Sequence, residues 1–331
     1  MNQYRSAGVS LEGADRHVEA IAPLVTSTWG PLVVGSFGGF AAGARIPPEY
    51  QKPILMMTTD GVGTKLELAR QTGLWDGVGH DLVAMVVDDL AAAGARPLGL
   101  VDYMAVGALD PQRDTRVVAS IATACREAQV ALLGGETAEH PGVMERDQID
   151  LAAAALGVVE EGAELGPDRV GPGDLVIGLP SPNLRSNGFS LVRRIVTERD
   201  LSAPFLGEDV SLGEVLLRPS VLYSPVVQPI LGLCHAAVHV TGGGLFGNLP
   251  RVLPEGLGVA LRTSSWDVPS VFQILGEWGG IPESELFSVF NMGIGFCLIV
   301  SPAEVEKVIA ATRGRLIGAI VNGSGVKLLP R

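Results

Sequence analysis

The segment HDLVAMVVDDLAAAG, residues 80–94, limits the fold more than any other stretch of the chain. It is almost wholly apolar, so as a helix it has little surface to offer water and needs neighbours on most sides. It also carries three aspartates. Asp81, Met85 and Asp88 fall at i, i+4 and i+7 and share one helix face, with Asp89 about 100° further round. A carboxylate taken into a core is costly unless it is paired, protonated or bound to a metal. The segment therefore reads as a buried helix with a cation at Asp81, Asp88 and Asp89, or with Asp88 and Asp89 on one solvated stripe.

Composition narrows the class. A length of 331 residues fits about two domains. Hydrophobic residues at 47% against 18% charged exclude a disordered chain. With 43 glycines, about twice the average share, tight turns and close backbone approach to ligands are expected. A net charge of −12 argues against a nucleic-acid partner, although backbone N–H groups and metal can still hold phosphate. Cys125, Cys234 and Cys297 lie far apart without a CxxC, which disfavours zinc. The N-terminus MNQYRSAGVSLEGADR lacks a signal-peptide pattern and no run of ~18 apolar residues occurs, so a cytoplasmic chain without a membrane partner is expected.

Periodicity and turn residues give a coarse element order. Residues 1–30 read as a short helical lead and 35–43 (GSFGGFAAG) as a Gly-rich loop containing Gly38 and Gly39. ILMMTT (54–59) reads as a buried strand, DGVGTK (60–65) as a loop, and the next helix stops at Gly73. After the apolar helix come a strand at 98–106 and a helix at 114–128 capped by Asp114. The short strand VALL then leads to a loop, Gly134 to Thr137, and a strand follows at 151–159. EEGAELGPDRVGPG (160–173) is polar and rich in Gly and Pro, and divides the chain into 1–165 and 166–331. The second half reads as strands at 174–180 and 236–240, a helix at 189–199, and a turn at Asn291 to Gly293 followed by a strand; a helix at 304–314 and a strand at 316–321 end it. Helices and strands mix without strict alternation, which predicts an α+β class.

Chemistry can sit at five places. In TTDGVGTK, Asp60 can hold a metal, while Gly61, Gly63, Thr64 and Lys65 can hold phosphate; the alternative is a helix cap and an exposed lysine. The apolar helix supplies Asp81, Asp88 and Asp89 for Mg²⁺ shared with a nucleotide. Gly134, Gly135, Glu136 and Thr137 form a nucleotide loop or an ordinary turn. In LRSNGFSLVRR, Ser186 or Asn187 can cap a helix near Phe189, or the same N–H groups can bind phosphate beside Arg185. In HVTGGGLFGNLP, Gly242, Gly244 and Gly247 satisfy G-x-G-x-x-G, but Pro250 and Pro254 interrupt the helix that a dinucleotide fold needs. His239 is a packed strand histidine or an acid–base group.

TDGVGTK (59–65), DLVAMVVDDL (81–90), GGETAEHPG (134–142), RSNGFSLVRR (185–194), HVTGGGLFGNLPRVLP (239–254) and FNMGIGF (290–296) together resemble the phosphoribosylformylglycinamidine cyclo-ligase family, also called aminoimidazole ribonucleotide synthetases, over essentially the whole chain. The resemblance implies two α/β domains, the N-terminal one pairing across a homodimer into a β-barrel with the nucleotide site near that interface, the C-terminal one a mixed sheet with helices. It implies ATP-dependent ring closure of formylglycinamidine ribonucleotide in purine synthesis, with Mg²⁺. By matching position, Gly38, Gly39, Asp60, Gly61, Gly63, Thr64, Lys65 and Gly134 to Thr137 serve the nucleotide. Asp60, Asp81, Asp88 and Asp89 serve the metal. Ser186, Asn187, Gly188, Thr241, Gly242, Gly243 and Asn291 face substrate, and Lys65, Arg185 and His239 carry the chemistry. Two positions depart from the family pattern: Asp88 stands where Asn is usual, and Arg185 where many members have His. Arginine cannot act as a base near neutral pH: either that histidine is dispensable, or His239, or less favourably His140, takes the task, or the activity has drifted. Competing readings are a thiamine monophosphate kinase-like member of the same superfamily and a catalytically silent nucleotide-binding regulator.

Overall fold

The apolar helix finds its neighbours between two sheets. The structure, a computed structural model, describes residues 10–205 and 209–329; the first nine residues of the expected helical lead lie outside them. Helix α1 (Leu11–Thr26) is capped by Ser10, whose hydroxyl accepts from the Gly13 amide. The Gly-rich loop is the tip of a two-stranded ribbon, β1 (Val33–Val34) and β2 (Gly43–Ala44).

The N-terminal sheet has the order β3 (Pro53–Gly61), β6 (Ile149–Glu160), β4 (Arg96–Val106), β5 (Ala131–Glu139). Helix α2 (Lys65–Thr72) follows β3, and Gly73 at φ 71° ends it as expected. Helix α3 (Val78–Ala92) is the apolar helix. Helix α4 (Pro111–Glu127) is the crossover that lets β5 run parallel to β4; every other pairing in this sheet is antiparallel. Asp110 caps α4, not Asp114: it accepts from the Gln112 and Arg113 amides, while Asp114 is buried against Arg113. The sheet's inner face packs on α3 and α4. Its outer face leaves Leu55, Met57, Val101 and Tyr103 uncovered, Met57 by 73%. Among the described residues the single chain forms no closed barrel.

The C-terminal sheet has the order β12 (Gly325–Leu329), β9 (Leu257–Arg262), β11 (Arg315–Asn322), β7 (Leu175–Pro180), β10 (Ile294–Val300), β8 (Cys234–His239). β10 is buried at all seven positions, as a continuous apolar run between two strands requires. Periodicity missed β9, β12 and the helices at Ser270–Gly279 and Glu283–Val289. Helix α5 (Phe189–Val196) opens on Gly188 at φ 78°, so neither Ser186 nor Asn187 is its cap; a Cβ at Gly188 would lie 2.4 Å from the Phe290 ring. Helix α3 touches β3, β4 and β6 on one side and β8 with the turn Ser224–Val227 on the other. It is the shared wall of the two domains. Among the described residues no helix is long and apolar enough to cross a membrane.

Candidate active site

The face of α3 read from spacing meets the C-terminal domain. The Asp81 carboxylate pairs with Lys65 Nζ at 2.6 Å and accepts the Ser220 amide and hydroxyl at 2.9 and 2.6 Å. Lys65 Nζ also donates to the Arg185 and Arg218 carbonyls, each at 3.0 Å. Two turns on, Asp88 accepts the Tyr223 and Ser224 amides at 2.9 and 2.8 Å and pairs with Arg185 Nη2 at 2.9 Å. All four charged side chains are fully buried. Burial pushes the Lys65 ammonium down, with Asp81 opposing that shift.

This corrects several expectations. Asp81 and Asp88 are spent on ion pairs with Lys65 and Arg185 and on backbone amides, and are not part of a metal-holding cluster among the described residues. Lys65 and Arg185 reach no solvent in this structure; each is held against a buried aspartate. Asn291 is also structural: its Nδ2 donates to the Asn183 carbonyl at 2.9 Å and its Oδ1 accepts the Gly293 amide at 2.8 Å, with the side chain buried.

Of the four candidate metal aspartates, Asp60 and Asp89 stay accessible. Asp89, 35% exposed, accepts His239 Nδ1 at 2.9 Å and the Thr58 hydroxyl at 3.1 Å. Burial pushes its carboxyl up, but the hydrogen bonds from His239 and Thr58 outweigh this and hold it below the ordinary value. Asp60 is raised, mainly by burial and further by Asp89, while the Gly61 amide opposes. Asp89, His239, Thr58, Asn248 and Arg251 line an interdomain cleft of about 500 Å³. Among the described residues no group of three or more His, Cys, Asp or Glu gathers to hold a metal. Two carboxylates suit Mg²⁺ when phosphate and water oxygens complete its shell.

His239 has both ring nitrogens engaged, since Nε2 meets Arg185 Nη2 at 2.8 Å. It is therefore not a free base in this arrangement. The loops flanking it lie against one another. Asn187 Nδ2 lies 4.0 Å from Met85 Sδ on α3, and a Cβ on Gly242 would be 3.6 Å from Asn187 Oδ1. Asn248 Nδ2 donates to the carbonyls of Thr241, Gly242 and Gly244 and holds the TGGG turn, in which Gly243 has φ 93°. The Ser186 hydroxyl is buried with no partner. A group that costs free energy when left alone is a natural ligand contact. His140 instead meets the Tyr103 hydroxyl at 3.1 Å.

A second site lies at the other edge of the N-terminal sheet. A cavity of about 630 Å³ is lined by Gly38 and Gly39 of the ribbon, His17 of α1, and Gly134 to Thr137. The last four residues are not a loop: β5 continues through them, paired with Val101 to Met104. Sequence reasoning missed Asp102, which also lines this cavity while only 9% exposed. Its carboxyl is pushed up to about 7, chiefly by burial, with Glu136 adding to the shift and its own backbone amide opposing. A Cβ at Gly135 would sit 2.0 Å from Asp102 Oδ1 and 2.9 Å from its carbonyl, so only glycine fits beside it. The signal was present: Leu98, Leu100, Asp102 and Met104 share the inward parity of β4, and a carboxylate among them is out of place. His17 donates to or accepts from the Thr137 hydroxyl through Nε2 at 3.3 Å, and its Nδ1 is buried without a partner. All three cysteines are buried, and burial pushes their thiols up, which removes them as nucleophiles.

Two mixed-sheet domains around a carboxylate helix, with a glycine-lined cavity and an interdomain cleft, define the class. Residues 42–159 match the AIR synthase related protein, N-terminal domain, and residues 171–329 match the AIR synthase related protein, C-terminal domain. The chain belongs to the AIR synthase related family. Its relative from Synechococcus sp. (strain CC9605) is named phosphoribosylformylglycinamidine cyclo-ligase and is 44% identical over 332 residues, covering 97% of this chain and 96% of its own length. A protein of the same name from Thermosynechococcus vestitus is 47% identical over 311 residues, covering 91% and 90%. The structure of hydrogenase maturation protein HypE in complex with ATP is similar in fold, with a TM-score of 0.68 at 21% identity, covering 96% of this chain and 89% of that one.

Proposed function

We propose that this chain is a carbon–nitrogen ligase that closes formylglycinamidine ribonucleotide to 5-aminoimidazole ribonucleotide, converting ATP to ADP and phosphate, in the purine pathway of the cytoplasm. The observation that carries this reading is a cleft lined by Thr58, Asp89, His239 and Asn248, with Asn248 holding the TGGG turn beside Asn187 of the SNG turn, in a chain whose relatives bear that name over nearly full length. Residues 1–165 hold the nucleotide, with Gly38, Gly39, Gly134, Gly135, Glu136 and Thr137 around it and Asp102 as a further contact. Glycines leave backbone N–H groups open to phosphate. Asp60 and Asp89 hold Mg²⁺, which supplies charge neutralisation for phosphoryl transfer. Residues 166–331 supply the substrate turns: Ser186 to Gly188 and Thr241 to Gly243 orient the ribonucleotide, and the Ser186 hydroxyl donates to it.

The same reading makes the protein a homodimer. The strand order sets Asp60 on β3 and the glycine cavity on β5 at opposite edges of the sheet, about 14 Å apart at ~4.8 Å per strand. Two such sheets joined edge to edge give eight strands, enough to close a barrel filled by side chains. Closure covers Leu55, Met57, Val101 and Tyr103 and brings the cavity of one protomer towards the carboxylates of its partner.

The test is an assay of purified protein with ATP, Mg²⁺ and formylglycinamidine ribonucleotide, following ADP and the diazotisable aminoimidazole together. Equal yields of both are expected. ADP without the imidazole, or neither product from folded protein that binds ATP, overturns the reading.

A further inference from the structure

Asp88 and Arg185 are 97 residues apart in sequence and 2.9 Å apart in space. We propose that they are a charged pair acting as a unit, and that Arg185 is a positioning residue: it selects the tautomer of His239 and through it aims the Asp89 carboxylate into the interdomain cleft.

The argument is one of donors and acceptors. A guanidinium only donates. Arg185 Nη2 has two hydrogens and two neighbours, Asp88 Oδ2 at 2.9 Å and His239 Nε2 at 2.8 Å. Nη1 donates to the Val221 carbonyl at 2.7 Å, and the guanidinium lies over the Tyr223 ring with Cζ 4.8 Å from its centroid. His239 Nε2 must therefore present a lone pair, which puts the ring hydrogen on Nδ1. That hydrogen goes to Asp89 Oδ1 at 2.9 Å, and the Thr58 hydroxyl donates to Oδ2 at 3.1 Å. Both Asp89 oxygens are thus oriented by donors from behind while the carboxylate keeps an open side. A ring with hydrogen on Nε2 instead would face Arg185 donor to donor and turn a lone pair on Asp89.

Asp88 is the counter-ion that makes a buried Arg185 tenable. No other carboxylate contacts the guanidinium among the described residues, and Asp88 Oδ1 is held by the Tyr223 and Ser224 amides. Removing one charge strands the other in the interior; removing both does not. The backbone also invests in this geometry, since Arg185 sits at φ 59°, a strained value for a residue with a side chain.

The inference rests on the proposed activity only for its catalytic consequence. The experiment compares the full-length protein with Asp88→Asn, Arg185→His, the double variant and Arg185→Lys. It measures thermal unfolding, kcat and KM for ATP, and ¹⁵N NMR of histidine-labelled protein, with His239 assigned among five histidines by His239→Gln. Both single variants are expected to lose several degrees of Tm, and the double to recover most of the loss. Lysine keeps the charge against Asp88 but cannot also hold His239. Arg185→Lys is therefore expected to stay folded, keep KM for ATP within twofold, lower kcat at least tenfold and mix the two His239 tautomer signals. Additive Tm losses in the double variant would overturn the unit. A His239 spectrum and kcat unchanged in Arg185→Lys would overturn the positioning role. A wild-type protein without ligase turnover would remove the proposed function but leave the Tm and NMR arms to decide the pair.

Discussion

Replacing Asp102 by asparagine should make the protein more stable at alkaline pH while weakening its hold on nucleotide. The carboxyl moves from an ordinary 3.8 to about 7 on folding, with burial as the main cause. The folded chain therefore binds this proton more tightly than the unfolded one. The stability it contributes is fully present below pH 4 and is lost as pH rises through 7, after which the ionised group is a constant burden. Three pH units at 1.36 kcal/mol each put that burden at about 4 kcal/mol at pH 8, an upper bound because the site can relax. Asparagine has nearly the same shape and cannot ionise. Thermal unfolding without ligand, followed by circular dichroism, should show Asp102→Asn several degrees above wild type at pH 8 and little changed at pH 5. Calorimetry with ATP and Mg²⁺ should show weaker binding. An equal shift at both pH values, or a loss of stability at pH 8, would refute the view that Asp102 is a desolvated carboxyl kept for a ligand.

Lys65→Met removes the only cation on the Asp81 carboxylate among the described residues and should cost about 3–5 kcal/mol in urea unfolding. A loss under 1 kcal/mol would mean that the Ser220 donors suffice. Gly79→Ala would put a Cβ 2.4 Å from the Ile121 amide nitrogen and 2.7 Å from the Val117 carbonyl. It should force α3 off α4 at a cost of about 1–3 kcal/mol in the same assay. Met57→Glu, on the uncovered outer face of the sheet, should convert the proposed dimer to a monomer in sedimentation and abolish turnover with little change in far-UV circular dichroism.

Much of the fold was legible. The apolar run at 80–94 announced a helix buried on most sides, and the i, i+4, i+7 spacing placed Asp81, Met85 and Asp88 on one face; α3 is buried at both aspartates and lies between the domains. Gly73 ended its helix because φ 71° there costs glycine nothing. Elsewhere local signals misled. Gly134 and Gly135 looked like a strand end because they carry no side-chain period, yet β5 continues through them on backbone hydrogen bonds to β4, which need no side chain. Asp102 was overlooked although its inward parity on β4 marked it.

What the sequence determined by itself is the set of requirements: an apolar helix that must be enclosed, carboxylates that must find partners, glycines where backbone must bend or lie open. Which partner answers each carboxylate was decided by the tertiary structure alone. Lys65 takes Asp81 and Arg185 takes Asp88, so two residues expected at the chemistry became the joint between domains, while Asp89 was left facing the cleft. The reason is physical. Desolvation penalises any unpaired charge whatever its neighbours in sequence, but an ion pair forms only between groups that the packing of distant segments brings within about 3 Å of each other.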